Sequence, residues 1–207
     1  DYIGIVIVVL ILDKYPGKCL KIITSSLEVN HHVMSNLSQE LIQSVASNDL
    51  ELVKILTQNN SDLDIQDRKG QTALMQAVYD KNIAAAKILI EAGANVNTKD
   101  ETGNSPFLLA SAMGLYEIVA LCLANGADFS IYNRFGGSAL IHAAGKGHVE
   151  VVRLLASYPG FPVNHINRLG WTAMMESVVV SDGGAKHLDI MKILITAGAD
   201  VSIADWE

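Results

Sequence analysis

Apolar residues in this chain recur at helical spacing in short stretches, never in one long amphipathic run. Leu74, Ala77 and Val78 share one side of a short helix. After a break at Asp80-Lys81-Asn82, a second stretch carries Ile83, Ala86, Ile88, Leu89 and Ile90. The polar residues between such pairs are as regular as the apolar ones. Gly70, Gly103, Gly136 and Gly170 stand 33, 33 and 34 residues apart. Each follows an Asp or Asn by three (Asp67, Asp100, Asn133, Asn167) and precedes a hydroxyl residue by two (Thr72, Ser105, Ser138, Thr172). Self-similarity at such a period marks a repeat architecture.

The physics of one unit follows from these positions. Asp-x-x-Gly is turn chemistry, with glycine free to take a positive φ. The hydroxyl residue then sits where a helix N-cap is needed, and Pro106 stands at the first helical position of one unit. Gly114 and Gly147 break the helix pair in two units. Gly93, Gly126 and Gly198 occupy left-handed C-cap positions, and Asn60 takes that place in the first unit. Each unit therefore reads as turn, helix, turn, helix, turn. Stepping back 33 residues from Leu74 reaches Leu41, and from Val96 reaches Leu63, so a diverged first unit precedes the clear ones. The units span about 37–66, 67–99, 100–132, 133–166 and 167–204. The few large apolar side chains of one unit cannot offset the entropy of ordering it, so the units must stack into a solenoid.

The units resemble ankyrin repeats. The pattern of that family is partly kept as Asp67-Arg68-Lys69-Gly70-Gln71-Thr72-Ala73-Leu74-Met75-Gln76-Ala77. Gly147-His148-Val149-Glu150-Val151-Val152-Arg153-Leu154-Leu155 is similar to its second helix, and Gly93-Ala94-Asn95-Val96-Asn97 to its closing segment. The likeness covers about four fifths of the chain and is nearest in character to bacterial members. It implies an all-α solenoid of stacked helix-turn-helix units joined by short β-hairpin-like loops, at residues 37–207. Its known role is protein–protein interaction, without enzymatic activity and without a cofactor.

Three departures matter. The family's histidine after Thr-Pro-Leu is replaced by Met75, Leu108, Ile141 and Met175, so apolar packing is expected in place of a polar bridge between repeats. Unit four carries an extra residue around Pro159-Gly160-Phe161-Pro162, and its outer turn should bulge. Unit five carries five extra residues around Ser181 to Lys186, read as a protruding loop.

The ends are irregular. Residues Ile3 to Leu12 form an apolar run of ten, too short to span a bilayer, followed by Lys14, Lys18 and Lys21. Three readings stand: a truncated anchor or signal segment, sequence upstream of a true start at Met34, or a structured part of the fold. Residues 1–36 are assigned to this segment and a linker. At the other end, nothing gives unit five the polar outer face of a terminal repeat, so a further unit is expected, starting at 205–207.

Composition narrows the function. Half of the 207 residues are hydrophobic, the net charge is −7, and no run of basic residues offers a nucleic-acid backbone a footprint. Cys19 and Cys122 are too few for a disulfide scaffold or a CxxC zinc site. Gly145-Lys146-Gly147-His148 lacks the spacing of a phosphate loop and falls on an interhelix turn. Gly136-Gly137-Ser138-Ala139 lacks the closing glycine of a nucleophile elbow. His31-His32 reads as a solvated pair, His142 as a groove residue and Cys122 as a buried inert thiol. No catalytic, metal or cofactor residues are assigned.

What remains is surface. Hairpin tips and the concave first-helix face are where such repeats bind partners. The candidate residues there are Arg68, Lys69, Tyr79, Glu101, Asn104, Met113, Arg134, Phe135, Lys146, Arg168, Leu169 and Trp171. Arginine and aromatic residues are enriched in binding hot spots. The competing reading packs Phe135, Leu169 and Trp171 between adjacent hairpins. The expected partner is another protein, bound by a monomeric, cytoplasmic module. The alternatives are a regulatory or targeting region of a larger enzyme, or a membrane-tethered scaffold, anchored or exported, if residues 3–12 are a truncated anchor.

Overall fold

The computed structural model describes residues 39–59, 62–180 and 184–203. The apolar run at 3–12, Cys19, His31-His32, Asn60, residues 181–183 and the expected start of a sixth unit at 205–207 lie outside them. Ten helices and no strand occur among the described residues. They are α1 (39–46), α2 (Leu50–Asn59), α3 (Ala73–Tyr79), α4 (Ile83–Glu91) and α5 (Pro106–Ala112), then α6 (Tyr116–Ala124), α7 (Ala139–Gly145), α8 (Val149–Ser157), α9 (Ala173–Val179) and α10 (Ala185–Thr196). Each unit contributes one pair. First helices pack on neighbouring first helices and second on second, as in a solenoid.

Every first helix of the four clear units starts the same way. The hydroxyls of Thr72, Ser105, Ser138 and Thr172 accept from the backbone N–H three residues on, at 3.2–3.3 Å. That satisfies one of the orphan donors of a helix N-terminus. The turn before it is held by the Asp or Asn, whose Oδ1 accepts two backbone N–H groups. For Asp67 these are the amides of Lys69 and Gln71, at 2.8 and 2.9 Å. Asn167 repeats the arrangement with Leu169 and Trp171.

The tip glycine has two reasons to be glycine. Gly103 has φ +79°, and a Cβ there would stand 3.1 Å from the Arg134 backbone nitrogen of the next tip. Both strain and a backbone clash therefore oppose a side chain.

The core runs along the whole stack. Leu74, Phe107 and Leu140, one position in three successive units, are fully buried, with Leu89, Cys122 and Leu155 beneath the second helices. Met75, Leu108 and Ile141 are buried as well, so the family's histidine position is an apolar core position here. Polar bridges between units are not lost, however; they have moved. Asn97 Nδ2 donates to Gly126 O while its Oδ1 accepts from Asp128 N, both at 2.8 Å. Asn164 makes the same two bonds to Gly198 and Asp200. His148 Nε2 lies 3.0 Å from Ala112 O.

The two insertions differ from the sequence expectation. Between units three and four Ser130 stands where the bridging asparagine would be. There the extra residue of unit four does not simply bulge: α8 is followed by an extended Tyr158, and Phe161 turns in to become buried. Phe129 meets Phe161 at 4.8 Å, Tyr158 at 5.5 Å and Phe107 at 6.3 Å between ring centroids. Aromatic packing replaces the missing amide bridge. In unit five the extra residues do not form only a loop. The second helix α10 has 12 residues against nine in α4, so three are absorbed as helix and two lengthen the connection. Ala185 and Lys186, read as loop, are its first turn.

Unit five also differs in its cover. Val78, Ile90 and Val96 of unit two are buried beneath unit three, whereas their counterparts Val178, Ile195 and Val201 are 54%, 58% and 72% exposed.

Candidate functional site

The hairpin tips form a continuous row because backbone links each to the next. Glu101 N–H donates to Lys69 O, Arg134 N–H to Thr102 O and Arg168 N–H to Phe135 O, at 3.3, 3.1 and 3.0 Å. The side chains of these residues are left facing outward. Arg68, Lys69, Glu101, Arg134 and Arg168 are exposed. Phe135 is 57% and Leu169 62% exposed, which overturns the reading that packs them between hairpins. Trp171 is half-buried, so for that residue packing contributes. The Arg134 guanidinium carbon sits 4.9 Å from the centroid of the Phe135 ring, a cation–π arrangement. Arg168 lays its stem over the preceding tip, with Cγ 3.1 Å from where a Cβ on Gly136 would be.

The first-helix ends contribute less uniformly. Tyr79 and Lys146 are exposed; Met113 is half-buried against the core. Asn104 is half-buried and donates to Thr102 Oγ1 at 2.8 Å, which makes it part of its own turn. Of the twelve candidates, the structure thus brings Arg134, Phe135, Arg168 and Leu169 together on two adjoining tips. Arg68 and Lys69 lie farther along the same row, with Glu101 between.

Charge is distributed unevenly over the molecule. Second helices pair their charges internally: Lys54 with Glu51, Lys87 with Glu91, Arg153 with Glu150 and Lys192 with Asp189. Among the described residues, Arg68, Lys69, Arg134, Lys146 and Arg168 make no ion pair within 4.0 Å.

Three groups near the row and one in the core are tuned by their surroundings. His142 Nε2 is 2.9 Å from Asn133 Nδ2. Asn133 Oδ1 already accepts from Phe135 N and Gly137 N, so its amide nitrogen is the donor and the imidazole must accept. His142 is therefore neutral, and burial, helped by the charge of Lys146, holds its pKa below the usual histidine value. The Glu176 side chain lies across Gly145; burial raises its pKa and Lys146 opposes the rise. The Tyr79 hydroxyl is raised by burial and by the nearby charge of Asp100. Cys122 is fully buried and pushed up to about 12, so its thiol is a core group and no nucleophile. Among the described residues no three His, Cys, Asp or Glu side chains gather as metal ligands would. No described helix is long and apolar enough to cross a membrane.

Two residues behind the tips escaped the sequence reading. His165 Nε2 donates to Gly136 O at 2.7 Å, and its ring stacks on Tyr132 at 3.8 Å with 7° between planes. Gln66 Nε2, just before the unit-two tip, donates to Gly70 O and to Lys99 O, both at 2.7 Å. Gln66 and Tyr132 share one place in the repeat, just before the tip Asp or Asn, whereas His165 falls one place earlier, so the period did not mark it.

This geometry can be set beside known proteins. A family profile described as ankyrin repeats (3 copies) matches residues 41–133 and again 107–205. The chain belongs to the ankyrin repeat family. An ankyrin repeat domain from Acinetobacter baumannii AYE is similar in structure, with a TM-score of 0.77 and 44% identity over 81% of this chain and 85% of that one. The ankyrin repeat protein EF0377 is also similar, at a TM-score of 0.77 and 38% identity, over 80% and 84%. The ankyrin repeat protein YahD of Escherichia coli (strain K12) is 35% identical over 51 residues, and the match spans a quarter of each chain. Ankyrin repeats are protein–protein interaction modules, and the fold is typically non-enzymatic.

Proposed function

We propose that this protein binds a partner protein through the hairpin tips and the adjoining first-helix ends, and carries out no chemistry of its own. The observation that supports the reading most is the coincidence of unpaired cations with exposed apolar side chains on the tips of units four and five. A soluble surface holds few reasons to expose Phe135 and Leu169 side by side with two unpaired arginines, whereas binding hot spots combine these residue types. The tip row is also rigid, since each tip is tied to its neighbour through backbone, so a partner need not order it.

The test is recovery of partners from the native host. Arg134→Ala, Phe135→Ala and Leu169→Ala remove exposed atoms only, so the triple variant should keep its helical circular-dichroism spectrum. Proteins captured reproducibly by the wild type should be lost. Undiminished capture by a folded variant excludes these tips as the binding site.

A further inference from the structure

We infer that the tips of units four and five take an acidic segment of the partner, with carboxylates on Arg134 and Arg168 and an apolar residue against Phe135 and Leu169. The inference rests on the partner-binding reading and adds the chemistry of the occupant. Its ground is charge complementarity that the fold itself leaves open. Neither arginine has an ion-pair partner among the described residues, although the chain carries seven more acidic than basic groups. Lys146 adds a third unpaired cation at the end of α7. Glu176 lies across the neighbouring Gly145, and the Lys146 charge opposes the burial-driven rise of its pKa.

Position matters as much as charge. Arg168 N–H bonds Phe135 O, so the two tips are held in fixed relation. The Arg134 guanidinium carbon sits 4.9 Å from the Phe135 ring centroid, and Gly136 leaves room for the Arg168 stem. Gly136 meets both the backbone nitrogen and the Cγ of Arg168 at 3.1 Å from its would-be Cβ, so the arginine stem lies directly over the preceding tip. A planar guanidinium so placed accepts a carboxylate by paired hydrogen bonds. An extended polyanion such as nucleic acid fits less well. Glu101 interrupts the basic row, and phosphate backbones give Phe135 and Leu169 nothing apolar to cover.

The experiment is fluorescence anisotropy of the whole chain at low salt with labelled probes. One is a peptide of Glu and Asp interrupted by single Leu residues, one the same peptide with Gln and Asn in place of the acids, and one a single-stranded oligonucleotide. The acidic peptide should bind and the amide peptide should bind at least about tenfold more weakly. Arg134→Glu with Arg168→Glu should abolish the difference, and a Lys-for-Glu peptide should recover binding to that variant. Circular dichroism checks that both proteins are folded. Equal binding of acidic and amide peptides, or an acidic preference that survives the double reversal, overturns the inference. Oligonucleotide binding as tight as the peptide's overturns it in favour of a polyanion site. If host partners are still captured through the tips while the acidic peptide fails, this inference falls and the proposed function stands.

Discussion

Two rows of turns run along the stack, and they use charge in opposite ways. In the closing turns after the second helices, acidic groups are consumed by the fold. Asp128 accepts from the amide and hydroxyl of Ser130, and Asp200 from those of Ser202, which lowers the pKa of both carboxyls. Asp64 accepts Asn95 N–H of the next unit, and Asn97 and Asn164 tie their units to the following ones. In the row of hairpin tips, the Asp and Asn side chains hold their own turns, backbone links each tip to the next, Gln66 and His165 bond tip carbonyls, and the cationic side chains are left over. The same period thus builds one row whose polar side chains hold units together and one whose cationic side chains are free for a partner. The difference separates residues selected by folding from residues open to recognition.

The largest effect should come from breaking the core that both rows share. Phe107→Ala removes a fully buried ring that also supports Phe129, and about 3–5 kcal/mol of stability should be lost in urea unfolding. Gly103→Ala attacks the backbone tie of the tips themselves. With φ at +79° and the Arg134 amide 3.1 Å away, about 1–3 kcal/mol should be lost, while an alanine at an exposed helix site should cost little. In the closing row, Asn97→Ala removes two hydrogen bonds between units and should cost about 1 kcal/mol.

A pH titration sharpens the comparison at the one tip held by a histidine. Because burial depresses the His142 pKa, the unfolded chain binds its proton more readily than the folded one. Stability should therefore be full above about pH 6.5 and fall on acidification through that range, and His142→Gln should flatten that part of the profile. A wild-type curve with no decline there would show that the Asn133–His142 bond contributes nothing. The smallest effect is expected for the core thiol. In a Cys19→Ser background, native Cys122 should resist a thiol reagent at pH 8 and react once urea is added.

Much of the fold was legible because the repeat imposes the same demand at the same place. Gly70, Gly103, Gly136 and Gly170 all have positive φ, and the four hydroxyl caps all bond as expected. What escaped lies in pairs that cross from unit to unit with residue types outside the pattern. Tyr132 of one unit stacks on His165 of the next, and Phe129, Tyr158 and Phe161 cluster where Ser130 stands in place of the bridging asparagine. The unit-five insertion was misread because its added residues continue a helical apolar pattern up to Ile190, which length counting alone does not reveal. At the tips, sequence supplied the residue types of Arg134, Phe135, Arg168 and Leu169. Their exposure and mutual seating depend on the next unit's backbone, so only the folded stack displays them.

The central claim is that the tip arginines are spare to the fold. It is tested most directly by urea unfolding of the Arg68→Ala, Arg134→Ala, Arg168→Ala triple variant beside the wild type, at low and at high salt. The account predicts stabilities within about 0.5 kcal/mol per substitution and no salt-dependent difference between the two proteins. A loss of several kcal/mol, largest at low salt, would mean the arginines hold the stack together and would contradict it.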